Sequence, residues 1–343
     1  MSALATAECA ICGHERFERR DRRGSDRAPR YPPGVRVVSR RSFLLGSAAA
    51  VALTACGSSG SGAEPSSSGD AGADNGGTTT DAGFAIGGGT SPNQLVLVRR
   101  FAPKTLVTGS QRVPVVLGDV NGLLPLESTP PTLTARILDP NGAVAVDSVT
   151  VDRHGAELQQ PYYPFLLSLA TAGDYQLQIK DQPAVSTTID VSAPADVPIP
   201  QIGAALPPFD TPTVKDHRGV DPICTRDPAC PLHDVSLSQA LSAGKPVAYL
   251  IGTPAYCQTA VCGPVLDLLL TERTNRPDVT MVHAEVYTDS TIETVAPAVT
   301  AYHMNFEPAL FIADAKGTLV ARLDSIYDAQ ELKAALDLAE APA

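Results

Sequence analysis

Short runs of apolar and β-branched residues alternate with turn residues between Leu95 and Ser192. The runs are LVLVRRF, RVPVVLGDV, TLTARILD, AVAVDSVTV, FLLSLA, DYQLQIK and STTIDVS. Turn signals such as DPNG and ATAGD separate them, and strands at about ten-residue spacing are typical of a β-sandwich. We therefore predict an all-β domain over residues 95–192. No residue of it is predicted to be catalytic, because its one histidine, His154, lies alone on a turn and is expected at the surface.

The apolar pattern changes over residues 193–343, which are predicted to form a second domain. PVAYLIG and VTMVHAEVY read as strands, whereas GPVLDLLLTERT, STIETVAPAVTAYHM and DAQELKAALDLAE have helical patterns. ALFIAD and TLVARLD, joined by AKG, indicate a hairpin. The order is strand, helix, strand, helix, two strands and helix, which predicts an α/β domain.

An apolar run of thirteen residues that begins at Phe43 follows the twin arginines Arg40 and Arg41. The run is too short to span a bilayer, so it predicts a signal peptide rather than a membrane helix. The arginine pair followed by Ser-Phe-Leu resembles a twin-arginine export signal, and LTAC resembles a bacterial lipobox. This resemblance implies that Cys56 becomes the lipidated amino terminus, and that residues 1–55 form the signal region.

The Gly/Ser-rich segment over residues 56–94 has almost no large apolar side chain, which predicts a disordered, flexible linker between the lipid anchor and the body. The long stretch before the twin arginines is unusual for a leader, so translation is expected to begin near residues 35–38.

Residues 1–55 hold ten of the 26 basic residues and five of the 37 acidic ones. The remaining chain is therefore strongly acidic, which argues against nucleic-acid binding. The predicted location is the extracytoplasmic face of a cell membrane.

Four of the seven cysteines lie in the predicted exported body: Cys224, Cys230, Cys257 and Cys262. An even number in an exported chain predicts disulfides, because that compartment is not kept reducing. Cys224 and Cys230, in CTRDPAC, are predicted to form a structural disulfide that closes a small loop. The alternative is a resolving pair that exchanges electrons with Cys257 and Cys262.

Several segments together resemble the thioredoxin fold over about residues 202–341. Cys257 and Cys262 lie in the turn after the first strand of the domain, and Pro308 precedes the hairpin. IGAALPPFDTPT resembles the entry segment of extracytoplasmic thioredoxin-like and peroxiredoxin-like proteins, and FEPALFIADAKGTLVARL resembles their cis-proline strand and hairpin. Upstream, AGDYQLQI around Tyr175 resembles a late-strand motif of immunoglobulin-like domains. The expected fold is thus a thioredoxin-like α/β domain after an immunoglobulin-like β-sandwich.

The thioredoxin resemblance implies thiol–disulfide exchange with client proteins, and hence a candidate oxidoreductase. Thioredoxins have two residues between their active cysteines, whereas this chain has four. Aligning AYC with the family's aromatic-Cys step makes Cys257 the attacking thiol and Cys262 the resolving one. Aligning CGP instead makes Cys262 the attacking thiol. Tyr256 and Pro308 would line the client groove. Five residues apart on one helix, the two side chains would point about 140° apart, so a disulfide requires residues 257–260 to be non-helical.

Two other functions stay open at this point. A redox-inert binding or scaffold lipoprotein would use its four cysteines as structural disulfides. A copper-handling protein resembling the Sco type would hold cuprous ion between Cys257, Cys262 and a histidine, with His283 in a predicted strand or His303 at a helix end as candidates. His233 is another conceivable ligand, although a surface position before a helix is favoured for it. The favoured prediction includes no metal and no cofactor.

Overall fold

The computed structural model describes residues 95–158 and 160–341. The predicted export signal with Arg40 and Arg41, the lipidation site Cys56 and the predicted linker lie outside the described residues. All described residues belong to one compact unit. Among them, no helix is both long enough and apolar enough to cross a membrane.

The first part of the described chain consists of strands in two sheets. One sheet has the order β1-β3-β4 with β7 also paired to β3, and the other has the order β2-β9-β8-β5-β6. Neighbouring strands are antiparallel, except that β2 runs parallel to β9. The strands are β1 (Val96–Arg99), β2 (Leu106–Val107), β3 (Gly109–Asp119), β4 (Gly122–Leu123), β5 (Thr132–Leu138), β6 (Val144–Asp152), β7 (Tyr163–Leu169), β8 (Gly173–Ile179) and β9 (Gln182–Ser192).

The two sheets share one apolar cluster and therefore form a β-sandwich. Val113 and Val115 of β3 face Ala135 and Ile137 of β5 within this cluster, and all four are at most 1% exposed. Successive side chains of a strand point to opposite faces, so the alternation in the sequence places one set of residues in the core. Burial of such a side chain contributes roughly 1.5–3 kcal/mol.

Tyr175 ties down the turn before β8. Its hydroxyl oxygen accepts a hydrogen bond from the backbone N–H of Thr171 at 3.1 Å, and its ring is 2% exposed. Tyr175 lies in the segment that resembles a late-strand motif of immunoglobulin-like domains. The immunoglobulin-like assignment itself stays a prediction.

The second part of the chain is a four-stranded sheet with helices on both faces. The sheet order is β11-β10-β12-β13, in which β10 and β11 are parallel and the other pairs antiparallel. The elements are α1 (Leu237–Ser242), β10 (Val247–Ile251), α2 (Cys262–Asn275), β11 (Thr280–Ala284), α3 (Pro297–Ala301), β12 (Ala309–Ala313), β13 (Leu319–Asp324) and α4 (Ala329–Glu340). From β10 onward this is the predicted order of elements.

One predicted helix is shorter than expected. The pattern from Ser290 predicted a helix there, but α3 begins only at Pro297. The side chain of Asp289 accepts the backbone N–H of Thr291 at 2.8 Å and so stabilises a turn. Asp and Asn side chains that bond the backbone two residues on compete with helix formation in this way.

Strand β10 lies in the middle of the sheet and is buried on both faces. Tyr249 and Ile251 pack with α1 and α3, whereas Ala248 and Leu250 pack with α2 and α4. This explains why PVAYLIG is apolar throughout rather than alternating. The carboxyl end of such a strand is where α/β folds position their functional loops. Here that loop carries Cys257.

The sandwich packs against the amino end of α4 through a buried ion pair. The guanidinium of Arg112 on β3 donates two hydrogen bonds to the carboxylate of Glu331, both at 2.6 Å. The hydroxyl of Tyr162 donates to the same carboxylate at 2.5 Å. Beside it, Nδ1 of His154 lies 2.7 Å from Oδ2 of Asp328, the N-cap residue of α4. His154 is therefore not the isolated surface residue that the sequence predicted.

The sandwich also contacts the loop that carries Cys257. Val98, Val116 and Tyr162 form an apolar cluster with Val261, and Cys257 packs against that cluster. Gln160 donates a hydrogen bond to the carbonyl oxygen of Thr259 at 2.9 Å. The loop is thus held by both parts of the chain.

Candidate functional site

Cys257 and Cys262 form a disulfide, with their Cα atoms 5.9 Å apart. The chain turns between them, with Ala260 at φ +56°, and α2 begins at Cys262. The requirement that residues 257–260 be non-helical is therefore met. Pro264 is the third residue of α2, after Cys262 and Gly263. As a result only Cys257 lies in the loop, and Cys262 opens the helix.

The two sulfur-bearing residues differ in exposure. Cys257 is half-buried, whereas Cys262 is 1% exposed. The backbone N–H of Cys262 donates to Sγ of Cys257 at 3.3 Å, and Oγ1 of Thr259 lies at the same distance. After reduction these donors and the partial positive charge of the helix amino end would favour a thiolate at Cys257. This geometry favours Cys257 as the attacking thiol, although its catalytic role stays a prediction.

Glu307 lies next to the buried sulfur, and sequence reasoning missed it. Its Oε2 atom is 3.5 Å from Sγ of Cys262 and accepts the backbone N–H of Thr253 at 2.9 Å. The pKa of Glu307 is raised to about 7, chiefly by burial and also by the negative charge of Glu285, against the opposing hydrogen bond from Thr253. The only sequence signal was its place directly before Pro308. The carboxyl is therefore able to accept or donate a proton at Cys262 near neutral pH.

Pro308 lies beside the disulfide, and the Glu307–Pro308 peptide bond is cis, as the thioredoxin resemblance implied. Gly252, which follows β10, allows this close packing. A Cβ atom on Gly252 would lie 3.2 Å from Cβ of Pro308 and 3.7 Å from Sγ of Cys262. A side chain at position 252 would therefore crowd Pro308, while it would only be in ordinary contact with the disulfide.

Two pockets of about 230 Å³ each share Thr259 and residues 305–307 in their linings. One is lined partly by the sandwich, including Arg99 and Phe101. The other is mostly apolar and includes Tyr287, against which Tyr256 packs edge to face at 6.4 Å between ring centroids. The surface around residues 305–307 is thus formed by both parts of the chain.

The predicted structural disulfide between Cys224 and Cys230 is not formed, and both residues are free cysteines. The physical reason is the course of their loop, which directs both sulfurs toward two imidazole rings. Cys224, Cys230, His233 and His283 form one buried group whose ligand atoms all lie within 4.8 Å of one another. His233 is 2% exposed and therefore not the surface residue that was favoured for it.

The electrostatics of this second group favour a thiolate at one cysteine. A hydrogen bond from Cys230 lowers the pKa of Cys224, and hydrogen bonds with His233 and His283 act in the same direction against the effect of burial. Burial lowers the pKa of His283, but its hydrogen bond with Cys224 and the negative charges of Glu285 and Cys224 outweigh this and raise it overall. The group has the donor set of a metal site.

The Sco-like copper alternative is not supported by these positions. The potential ligand group that contains Cys257 and Cys262 is completed by Glu307 and includes no histidine among the described residues. His283 belongs to the group with Cys224 and Cys230. The histidine that a Sco-like site requires is therefore not placed beside the disulfide.

Comparison with known proteins identifies similar structures but no family. No family model and no curated protein sequence matches this chain. The oxidised form of thioredoxin O2 from Arabidopsis thaliana is 19% identical over 29% of this chain and 79% of its own, with a TM-score of 0.25. The carboxyl-terminal domain of a putative thiol-disulfide oxidoreductase from Bacteroides thetaiotaomicron is 12% identical over 41% of this chain and 97% of its own, with a TM-score of 0.30. The assignment of a thioredoxin-like fold rests on the strand order and on the position of the disulfide at the start of α2.

Proposed function

We propose that this chain is a thiol–disulfide oxidoreductase whose redox centre is the Cys257–Cys262 disulfide. One observation carries the proposal: the half-buried sulfur of Cys257 lies at the amino end of a helix, while the buried sulfur of Cys262 contacts the carboxylate of Glu307. The first sulfur is placed to react with a client, and the second has its own proton acceptor. A purely structural disulfide requires neither feature.

The first step uses the reduced protein. The thiolate of Cys257 attacks one sulfur of a client disulfide, so that a Cys257–client disulfide forms and a client thiolate leaves. The backbone N–H of Cys262 and the hydroxyl of Thr259 are positioned to stabilise the attacking thiolate. Both donors are supplied by the loop and the first residue of α2.

The second step releases the client. The thiol of Cys262 gives its proton to the Glu307 carboxylate, and the resulting thiolate attacks Sγ of Cys257. The Cys257–Cys262 disulfide closes, and the second client thiolate leaves. The client gains two electrons and this chain loses two. The reverse sequence would oxidise a client dithiol. A proton acceptor with a pKa near the working pH suits this step.

The client is proposed to be a protein segment that binds across residues 305–307 and contacts Pro308 and Tyr256. Two pockets that share these residues favour an extended segment over a compact small molecule. Because Arg99 and Phe101 line one of them, the sandwich would take part in client binding. An aromatic client side chain would suit that pocket, because Phe101 lines it, whereas Arg99 already forms an ion pair with Asp190.

The cellular location belongs to the same proposal. A twin-arginine signal at Arg40 and Arg41 and lipidation at Cys56 would anchor the chain on the extracytoplasmic face of a cell membrane. An oxidised cysteine pair is expected to persist in that compartment. The support for this part is the sequence pattern alone.

A redox titration of the full chain tests the proposal. The protein is equilibrated in glutathione and dithiothreitol buffers of graded potential, and free thiols are alkylated and located by mass spectrometry. We expect the Cys257–Cys262 disulfide to open reversibly, with a midpoint reduction potential above about −300 mV. Structural disulfides have lower, more negative potentials. If the pair stays closed until the protein is denatured, the chain is a redox-inert scaffold and the proposal fails.

A further inference from the structure

A second chemical centre lies in the chain apart from the disulfide. Cys224 and Cys230 belong to the loop before α1, His233 follows them, and His283 lies on β11. All four are at most 6% exposed. We propose that these four residues bind one zinc ion in a closed, structural site.

The distances between the donor atoms match a tetrahedron. Zinc bonds of about 2.3 Å to sulfur and about 2.0–2.1 Å to nitrogen place two nitrogens about 3.3 Å apart and a sulfur and a nitrogen about 3.6 Å apart. Nδ1 of His283 lies 3.2 Å from Nε2 of His233. Sγ of Cys230 lies 3.3 Å and 3.5 Å from those nitrogens, and Sγ of Cys224 lies 3.9 Å from Nδ1 of His283. One ion at the centre would reach all four atoms without a large movement.

The surroundings hold the donors in the orientation that zinc needs. Nε2 of His283 lies 2.8 Å from the carbonyl oxygen of Gly252, so a proton there leaves Nδ1 free to coordinate. Metal-binding histidines have such an outer partner in most proteins. The backbone N–H of Cys230 donates to Sγ of Cys224 at 3.2 Å, which favours a thiolate. The outer nitrogen of His233, Nδ1, is buried with no hydrogen-bond partner among the described residues. His283 is therefore the imidazole whose orientation the protein fixes.

The charge balance is compatible with a buried zinc ion. Binding of Zn²⁺ would release one proton from each of the two thiols, and the two thiolates would neutralise the ion. The complex with two neutral imidazoles carries no net charge, so its burial is not opposed by an unpaired charge. Two sulfur and two nitrogen donors in a tetrahedron are typical of zinc. Four protein ligands leave no open position, which indicates a structural rather than a catalytic role.

The expected consequence is a fixed connection between the loop and the sheet. The site would join the segment before α1 to β11, and through Gly252 it adjoins the strand end that leads to Cys257. This inference does not depend on the redox function, because none of the four ligands belongs to the disulfide.

Metal analysis of the full chain, purified with a reductant and without chelator, is the first test. We expect about one zinc per chain by inductively coupled plasma mass spectrometry. After removal of zinc, Co²⁺ should produce the intense visible bands of tetrahedral cobalt and a sulfur-to-cobalt charge-transfer band. X-ray absorption should show two sulfur and two nitrogen neighbours. These measurements use the wild-type protein, so they do not depend on how well a variant folds.

Substitutions then locate the site. His283→Gln and Cys230→Ser should each lose most of the zinc, whereas His217→Gln, at a half-exposed histidine of the same region, should retain it. The double variant Cys257→Ser/Cys262→Ser should also retain one zinc, which separates this site from the reduced redox pair. Circular dichroism confirms that each variant is folded.

Several outcomes would overturn the inference. One is that the purified protein contains no zinc and gives no tetrahedral cobalt spectrum. A second is that Cys224 and Cys230 form a disulfide in place of binding metal. A third is that the Cys257→Ser/Cys262→Ser variant loses zinc while His283→Gln retains it. Purification of the protein with about one copper and no zinc per chain would overturn the choice of metal.

Discussion

The Oε2 atom of Glu307 lies 3.5 Å from Sγ of Cys262, the buried sulfur of the disulfide. The same carboxylate oxygen accepts the backbone N–H of Thr253, so its position does not depend on a client. This places an acid–base group beside the sulfur that must lose a proton when the disulfide closes. The contact leads to two predictions for one substitution.

The first prediction concerns the rate of client release. With a pKa of about 7, Glu307 ionises as the pH rises through neutrality, so the rate of disulfide closure should rise over the same range. Glu307→Gln should lose this inflection and close about 100-fold more slowly near neutral pH, the lower end of what general acid–base catalysis contributes. The reduced protein is mixed with a disulfide-containing peptide between about pH 5 and pH 9, and the reaction is quenched at short times to measure the rate of disulfide closure. The exposed Glu293→Gln is the control, and an unchanged pH profile in Glu307→Gln would exclude the proposed role.

The second prediction concerns the stability of the oxidised protein. The pKa of Glu307 is raised in the folded state from 4.5 to about 7, so the folded state binds the proton more tightly than the unfolded state. This contribution to stability is fully present below about pH 4.5 and is lost as the pH rises through about 7. Glu307→Gln should therefore be about 1–3 kcal/mol more stable than the wild type above pH 7, and nearly equal to it at low pH. Urea denaturation at several pH values measures the free energy of unfolding of both proteins. A difference between them that does not change with pH would show that the pKa of Glu307 is not raised.

The roles of the two cysteines can be separated by trapping. Cys262→Ser leaves Cys257 half-buried and without a resolving thiol, so it should accumulate a stable mixed disulfide with oxidised glutathione. Cys257→Ser retains only the buried Cys262 and should react at least about 10-fold more slowly, because thiol access limits exchange. Intact-protein mass spectrometry measures both adducts. The opposite order would make Cys262 the attacking thiol, as the CGP alignment implies.

The buried ion pair between the sandwich and α4 should contribute strongly to stability. The Arg112 and Glu331 side chains are only 11% and 14% exposed, so Arg112→Met would leave the Glu331 carboxylate without its cation. We expect a loss of about 3–5 kcal/mol in the free energy of unfolding. Arg136→Met removes an exposed pair with Asp147, with side chains 40% and 65% exposed, and should change it by less than about 1 kcal/mol. Equal effects of the two substitutions in urea denaturation would contradict this account.

The His154–Asp328 pair should make stability pH-dependent. The hydrogen bond to Asp328 raises the pKa of His154 above 6.5, against the opposing effect of burial. Burial raises the pKa of Asp328, but the hydrogen bond with His154 outweighs it and holds the pKa below 3.8. The stability that His154 contributes is fully present below about pH 6.5 and is lost as the pH rises through the raised pKa of His154. The stability that Asp328 contributes is present above about pH 3.8 and is lost as the pH falls through the lowered pKa of Asp328.

His154→Asn should therefore be less stable than the wild type by about 0.5–1.5 kcal/mol between about pH 4 and pH 6.5, the size of one hydrogen bond. The difference should shrink as the pH rises further. His217→Asn, at a half-exposed histidine, is the matched control. Thermal unfolding across this pH range makes the measurement, and a pH-independent difference would show that the pair is not charged.

Local patterns predicted most of the architecture. The β-branched and apolar run RVPVVLGDV predicted a strand, and the fully apolar PVAYLIG predicted a buried strand. The apolar spacing of Leu332 and Leu336 predicted α4. These signals depend on residues close together in the chain, which is why they are visible in the sequence. The helix predicted from Ser290 was wrong because an Asx turn at Asp289 competes with it.

At the candidate sites, too, local geometry could be predicted from the sequence, whereas contacts between distant residues could not. The sequence alone indicated that Cys257 and Cys262 could pair if the segment between them were not helical, because that condition is set by local geometry. It did not show that Glu307 reaches Cys262, a contact between positions 45 residues apart. It also paired Cys224 with Cys230, whereas packing of the loop against β11 brings His233 and His283, 50 residues apart, to the same two sulfurs. Such groups exist only once the sheet and its loops are folded, since chain separation carries no information about which buried donors will meet.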